Sequence, residues 1–238
     1  MLTAEENDYL TRVGPGTPAG ELLRRYWQPF ATAKDLTDEQ PTKFVRLLGE
    51  DLVAFLDKSG RVGLIADKCA HRNASMVYGR VEERGIACAY HGWLYDCDGN
   101  IIETPPERND SIMRNVKTTA YPVQSFIGLY WAYLGPQPAP VIPRYDLWVR
   151  KDGTRSVKVR PVLDCNWLQP MENSADSPHL EILHLWLGDI STTTQAVNHW
   201  IRMTPPWRIA VRFLLSRGQA TGARTAAESA RSACGWTR

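Results

Sequence analysis

The amino-acid sequence predicts an α+β fold, in which an antiparallel β domain is followed by the first part of an α/β domain. Three observations predict it: helix-start signals precede residue 27, short β-rich runs fill much of the next hundred residues, and a helical stretch follows residue 166. The expected divisions are a helical lead-in (residues 1–42), the β domain (43–140), a partial second domain (141–207) and an aberrant or disordered tail (208–238).

The lead-in carries two helix-start signals. Thr3 with Glu6 forms a capping box, in which each side chain accepts a hydrogen bond from the other residue's backbone amide. Thr17 precedes Pro18, and Pro is favoured at the first helical position because an amide there would have no intrahelical partner. Two short helices should therefore precede Trp27.

Short runs rich in β-branched and aromatic residues, separated by turn residues, predict the β domain. The expected strands cover residues 43–48, 51–56, 61–66, 93–95, 101–102, 116–123 and 127–134. The Asp, Gly and Asn residues of segment 96–100 are a strong turn signal. A Pro-rich segment, 135–140, closes the domain, and a further strand is expected at residues 156–162.

Composition and charge restrict the classes of function. Hydrophobic residues make up 43% of the chain and the formal net charge is +2, without the basic excess of a nucleic-acid-binding protein. No uncharged apolar run approaches the ~18 residues of a membrane span, and the N-terminus does not resemble a signal peptide. The five cysteines show no convincing disulfide pattern. We therefore expect a cytoplasmic protein that binds neither nucleic acid nor membrane.

A Cys/His motif is the strongest chemical signal in the chain. Cys69 and His71 are followed, after sixteen residues, by Cys88 and His91, so two short loops each supply one thiolate and one imidazole. A structural zinc site accepts the same ligands. Zinc modules of this composition usually pair like ligands within one loop, whereas a Rieske [2Fe–2S] cluster takes two sulfurs on one iron and two nitrogens on the other. The motif favours the cluster, with a zinc-stabilised β domain as the alternative.

A second motif lies in the expected helical stretch and reads Asn173-x2-Asp176-x2-His179-x4-His184. The first three of these residues fall near one helix face, but His184 is five residues beyond His179 and would point away on a regular helix. Pro178 lacks an amide donor and disfavours helix at the residue before it. We therefore expect a break or bulge just before His179.

The two motifs, with the flanking words Cys-Ala-His-Arg and Tyr-His-Gly-Trp-Leu-Tyr-Asp-Cys-Asp-Gly, resemble the Rieske non-heme iron aromatic-ring-hydroxylating oxygenases. The likeness is greater to the alpha (oxygenase) subunits of their phthalate dioxygenase-like branch. It implies that the second domain begins a helix-grip-like catalytic domain. It further implies a [2Fe–2S] cluster held by Cys69, His71, Cys88 and His91, and a mononuclear Fe(II) held by His179 and His184.

The same resemblance implies a function. The cluster would take electrons from an NAD(P)H-dependent flavin or iron–sulfur reductase and pass them to Fe(II), which activates O2 beside a small aromatic, carboxylate-type substrate. Asp176 would be the catalytic bridging carboxylate, hydrogen bonded to His91 of the partner subunit in a head-to-tail homotrimer. The alternative is a truncated, catalytically inactive Rieske electron-transfer protein.

Three features depart from the family pattern. Asn73 stands where the family often has Gly, and Asn tolerates left-handed backbone angles. A third iron ligand, usually Asp, is missing, because Asp189 and Glu228 are the only acids after His184 and neither has a matching context. Residues 208–238 contain six Arg, no Lys and one acid. A basic surface helix, a solvated tail and out-of-frame translation are the interpretations, and the absence of apolar periodicity favours the last.

Overall fold

The computed structural model of the protein describes residues 2–108, 110–154, 156–157 and 162–179. Within these ranges the helices are α1 (Ala4–Thr11), α2 (Pro18–Leu23), α3 (Ser111–Asn115), α4 (Asp146–Val149), α5 (Leu168–Ala175) and α6 (Ser177–His179). The strands are β1 (Gln28–Thr32), β2 (Thr42–Leu47), β3 (Glu50–Leu56), β4 (Val62–Ala66), β5 (Arg80–Glu82), β6 (Gly85–Ala87), β7 (Leu94–Tyr95), β8 (Ile101–Glu103), β9 (Val123–Phe126) and β10 (Leu129–Ala132).

The two leading helices begin where the sequence predicts. The Thr3 hydroxyl accepts from the Glu6 amide at 3.2 Å, and the Glu6 carboxylate accepts from the Thr3 amide at 2.8 Å, which completes the capping box. The Thr17 hydroxyl accepts from the Gly20 amide at 3.2 Å at the start of α2. Both helix predictions are confirmed. The caps favour these helices because they satisfy amides that a helix leaves unpaired at its start.

The strands form three antiparallel sheets. One has the order β1-β10-β9, one is the meander β2-β3-β4, and the third is the meander β5-β6-β7-β8. The mixed helix and antiparallel-sheet architecture confirms the predicted α+β class. The division of the chain into four segments stays a prediction.

The strand predicted at residues 116–123 is wrong. The strand there is β9, which begins only at Val123, and the preceding residues make isolated bridges with Asn100 and Ile65. This segment instead crosses between two sheets: the Thr118 amide donates to the Gly99 carbonyl at 2.9 Å, and the Tyr121 amide donates to the Leu64 carbonyl at 3.0 Å. Its few hydrogen bonds are divided between two partners, so no continuous ladder forms.

A buried ion pair ties α2 to the first meander. Arg24 is 6% exposed and pairs with the Glu50 carboxylate, and its guanidinium also donates to the Leu48 carbonyl at 3.1 Å. The Tyr121 hydroxyl donates to the same carboxylate at 2.7 Å. The lead-in is therefore fixed to the turn between β2 and β3.

The helical stretch after residue 166 lies beside the lead-in. The side chains of Asn166 and Trp167 both donate to the Thr11 carbonyl at 3.2 Å. Helix α5 ends at Ala175, and Asp176 is extended, with φ −79° and ψ 92°, before α6 begins. A helix break is present as predicted, but it falls at Asp176, and Ser177, the residue before Pro178, is helical.

Several predictions concern residues outside the described ranges. The strand expected at residues 156–162 lies mostly outside the described residues, and His184 and the tail at 208–238 lie wholly outside them. Within the described ranges, none of the helices has the length and apolar character needed to span a bilayer.

Candidate iron–sulfur site

Two loops of the same backbone geometry carry the predicted cluster ligands. In the first, the Asn73 amide donates to the Cys69 carbonyl at 2.9 Å and the Cys69 amide donates to the Ala74 carbonyl at 2.9 Å. In the second, the Gly92 amide donates to the Cys88 carbonyl at 2.9 Å and the Cys88 amide donates to the Trp93 carbonyl at 2.8 Å. Each loop therefore closes on its own Cys through bonds to the fourth and fifth residues after it.

The closing residue of each loop is left-handed. Asn73 has φ +56° and Gly92 has φ +74°. Gly adopts this conformation without steric cost, and Asn is among the few other residues that tolerate it. The prediction that Asn73 can replace Gly in the first loop is confirmed.

The four side chains meet across the loops as two pairs. Cys69 and Cys88 are buried, at 2% and 4% exposure, and belong to one cluster of the hydrophobic core. The rings of His71 and His91 are half-buried, with centroids 4.6 Å apart. Among the described residues, no three His, Cys, Asp or Glu side chains come close enough to share a single metal ion. The sulfur pair lies inside, and the imidazole pair lies nearer to solvent.

The electrostatics of the pairs suit iron binding. Burial, and then the neighbouring Cys69 thiol, raises the pKa of Cys88, so a cation is needed to hold both thiolates. Desolvation, and then the charges of His71 and Arg72, lowers the pKa of His91, which favours the neutral imidazole that binds metals. Metal binding at such a site displaces the thiol protons.

Unpartnered buried nitrogens give a test of whether a cluster fits. In the part of the chain that the structure describes, three buried side-chain nitrogen or oxygen atoms lack a hydrogen-bond partner, namely Arg24 Nε, His71 Nδ1 and Trp93 Nε1. Buried polar groups in proteins are almost always bonded. Coordination to iron would satisfy His71 Nδ1, so the residues present fit the group that the sequence predicts.

Sequence reasoning assigned no role to Tyr95, although the residue stands within the flanking word of the motif. Its hydroxyl lies 3.1 Å from Cys69 Sγ and accepts a bond from the Ala70 amide at 3.0 Å. Either group can donate while Cys69 is a thiol, but a Cys69 thiolate has no hydrogen, so the Tyr95 hydroxyl would then be the donor. The backbones of Gly85 and Tyr95 approach closely, since a Cβ on Gly85 would meet the Tyr95 carbonyl oxygen at 1.9 Å, so only Gly fits there.

The second motif is only partly described. Asp176 is exposed, and its Oδ1 accepts from the backbone amide of half-buried His179 at 3.2 Å. His184, the other predicted Fe(II) ligand, lies outside the described residues. The structure therefore orients Asp176 next to His179 and leaves the ligand pair untested.

Residues 26–126 match the family model of the Rieske [2Fe-2S] domain. This region is a Rieske domain. The Rieske chain is 47% identical over 188 residues to the oxygenase subunit of 5,5'-dehydrodivanillate O-demethylase from Sphingobium sp., covering 77% of this chain and 44% of the relative. It is 42% identical over 188 residues to the phthalate 4,5-dioxygenase oxygenase subunit from Pseudomonas putida, covering 77% and 42%.

A solved structure agrees with these relatives. The oxygenase of carbazole 1,9a-dioxygenase, in a complex with ferredoxin, superposes with a TM-score of 0.59 at 26% identity, covering 67% of this chain and 42% of that one. The Rieske chain thus spans less than half the length of these relatives. The predicted resemblance to the Rieske oxygenases is confirmed by these matches, and a Rieske domain implies a [2Fe–2S] cluster. The individual ligands stay predictions.

Proposed function

We propose that this protein is the oxygenase component of a Rieske non-heme iron oxygenase. In this proposal its [2Fe–2S] cluster passes electrons from a reductase to a mononuclear Fe(II), which activates O2 for hydroxylation of an aromatic, carboxylate-type substrate. The observation that carries it is the sorting of four side chains into a buried thiol pair and a half-buried imidazole pair. We further propose a cytoplasmic location, on the sequence evidence alone.

We assign Cys69 and Cys88 to one cluster iron, and His71 and His91 to the other. The half-buried imidazoles are the part of this site nearest to solvent, so they form the edge through which an electron would enter or leave. The donor would be an NAD(P)H-dependent flavin or iron–sulfur reductase. The ferredoxin complex of the carbazole dioxygenase oxygenase supports an electron carrier as partner.

We assign His179 and His184 to Fe(II), and Asp176 to a bridging role between subunits of a homotrimer. The break after α5 supports this role, because it leaves the Asp176 carboxylate exposed on an extended residue. The His179 amide donates to one carboxylate oxygen, and within the described residues no hydrogen bond occupies the other, which leaves it for an imidazole. Such an outer carboxylate orients a metal-bound imidazole. The relatives include an O-demethylase and a dioxygenase, which support an oxygenase without selecting the substrate.

The direct test is metal and sulfide analysis of anaerobically purified protein, with EPR of the dithionite-reduced sample and oxygen uptake in the presence of a reductase and aromatic acids. We expect about two irons with sulfide, a Rieske-type EPR signal and about one further iron per chain, with oxygen uptake. Two irons without oxygen uptake would contradict the oxygenase and favour an electron-transfer protein. A colourless zinc protein would contradict both.

Asp176→Asn tests the bridging carboxylate. We expect both metals to stay bound, while electron transfer from the reduced cluster to the iron slows by roughly 10- to 100-fold because a neutral amide orients a metal-bound imidazole poorly. Rapid-mixing absorption of the cluster in a single turnover measures this rate. Asp164→Asn, an exposed Asp of the same segment, is the matched control. An unchanged rate in Asp176→Asn would show that the carboxylate has no bridging role.

A further inference from the structure

Trp93 lies against a predicted cluster ligand but is not itself one of the four predicted ligands. Its indole ring stacks on the His71 imidazole, with centroids 4.7 Å apart and the planes inclined by only 4°. Its carbonyl accepts from the Cys88 amide at 2.8 Å. Trp93 therefore joins the two ligand loops, with its backbone bound to one and its ring packed on the other.

The indole nitrogen of Trp93 is buried and, among the described residues, has no hydrogen-bond acceptor. The residue is 4% exposed, and within the described ranges its Nε1 is one of the buried side-chain atoms without a hydrogen-bond partner. An indole N–H is a donor only, so an acceptor must be supplied. The neighbouring unpartnered atom, His71 Nδ1, cannot be that acceptor if it binds iron.

Two observations point to one acceptor. The two unpartnered nitrogens belong to stacked rings, and Cys69 and Cys88 lie in the same buried cluster as Trp93. A [2Fe–2S] cluster at this position brings sulfide and thiolate sulfurs, which accept hydrogen bonds. Hydrogen bonds to cluster sulfurs are one of the means by which a protein sets the reduction potential.

We propose that Trp93 is a positioning residue of the cluster: its ring fixes the plane of the His71 imidazole and its Nε1–H donates a hydrogen bond to a cluster sulfur. The reduced cluster carries one more negative charge, so this bond favours reduction and raises the potential. The inference rests on the cluster ligands proposed above and is independent of oxygenase activity.

Trp93→Phe keeps a ring to stack and removes the donor, and the readout is the reduction potential from a spectroelectrochemical titration of the cluster-loaded chain. We expect a negative shift, so that the ratio of reduced to oxidised cluster falls about three- to tenfold at a fixed potential, where tenfold corresponds to 59 mV. Tyr95→Phe removes a donor that lies 3.1 Å from Cys69 Sγ and should shift the potential in the same direction.

Trp131→Phe is the matched control. Trp131 is also buried, at 6% exposure, but its Nε1 donates to the Phe126 carbonyl at 3.0 Å, in another part of the core. The same substitution there should leave the potential unchanged. Trp93→Leu removes the stacked ring as well as the donor. It should alter the hyperfine couplings of the ligand imidazole nitrogens in pulsed EPR, whereas Trp93→Phe should leave these couplings unchanged.

A second measurement decides the proposal even if the variants do not assemble a cluster. Cells fed 15N-indole label the indole nitrogens of the nine Trp residues, and pulsed EPR of the reduced wild-type cluster should detect one 15N coupling from Trp93. A loaded cluster with no such coupling, or with an unchanged potential in Trp93→Phe while Tyr95→Phe shifts, would overturn this inference alone. A chain that binds neither iron nor sulfide would overturn the proposed ligand site with it.

Discussion

Replacing Cys88 with Ala should yield a protein that retains no [2Fe–2S] cluster and unfolds at a temperature lower by roughly 6–12 °C. The proposed site needs two thiolates on one iron, and one thiolate would leave that iron half-coordinated. Binding energy of a metal centre whose site forms only on folding adds to the free energy of unfolding. A loss of about 3 kcal/mol corresponds to this shift for a chain of this length.

Cys97→Ala is the matched control for Cys88→Ala. Both thiols are buried, at 7% and 4% exposure. Cys97 lies outside the two ligand loops, and its Sγ is 3.6 Å from Asp57 Oδ2. Burial, and then this carboxylate, raises the pKa of Cys97 to about 12. We expect Cys97→Ala to keep the cluster and to lose about 1 kcal/mol of stability. Visible absorption and thermal unfolding check both variants, and a cluster retained by Cys88→Ala would rule out the proposed ligand set.

Rules that use only adjacent residues predicted several features of the fold and of the site. The capping box of Thr3 and the left-handed Asn73 each follow from the chemistry of a few adjacent residues. A helix break was predicted from Pro178, and the structure has one two residues earlier, at Asp176. The Cys/His spacing predicted two short loops, and each of them closes on its own Cys within five residues.

Contacts between distant segments could not be predicted in this way. Tyr95 reaches Cys69 across 26 residues, and nothing in its own neighbours indicates that bond. The wrong strand at residues 116–123 has the same cause, because tertiary pairing with two sheets overrides a β-rich composition. Trp93 stood in the motif, but its stack on His71 needs the fold that brings the loops together.

Arg24→Met should lower the free energy of unfolding by about 2–4 kcal/mol, a decrease of roughly 5–15 °C in the unfolding temperature. Met keeps an unbranched apolar stem, although it is shorter than Arg, and leaves the Glu50 carboxylate, only 19% exposed, without its cation. Tyr121 continues to donate to this carboxylate, because burial, and then Glu50 itself, raises the pKa of Tyr121 to about 12. One neutral donor replaces little of the lost charge.

Arg46→Met is the matched control. Arg46 also binds a carboxylate through two bonds, to Asp51 at 2.6 and 2.9 Å, but its side chain is 70% exposed. Water screens this pair, so its loss should cost less than about 1 kcal/mol. Chemical denaturation measures the free energy of unfolding of both variants, provided that its dependence on denaturant concentration is the same in each. Equal losses in the two variants would mean that burial of Arg24 contributes nothing.

The origin of the Arg24 effect can be separated from lost packing by a second substitution. If most of the loss arises from an unpaired buried carboxylate, Glu50→Gln in the Arg24→Met background should recover part of the stability, because an amide is less costly to bury. If the loss arises from the side-chain stem, the double variant should be no more stable than Arg24→Met. Because Arg24 and Glu50 join α2 to the turn between β2 and β3, recovery would assign the attachment of the lead-in to electrostatics.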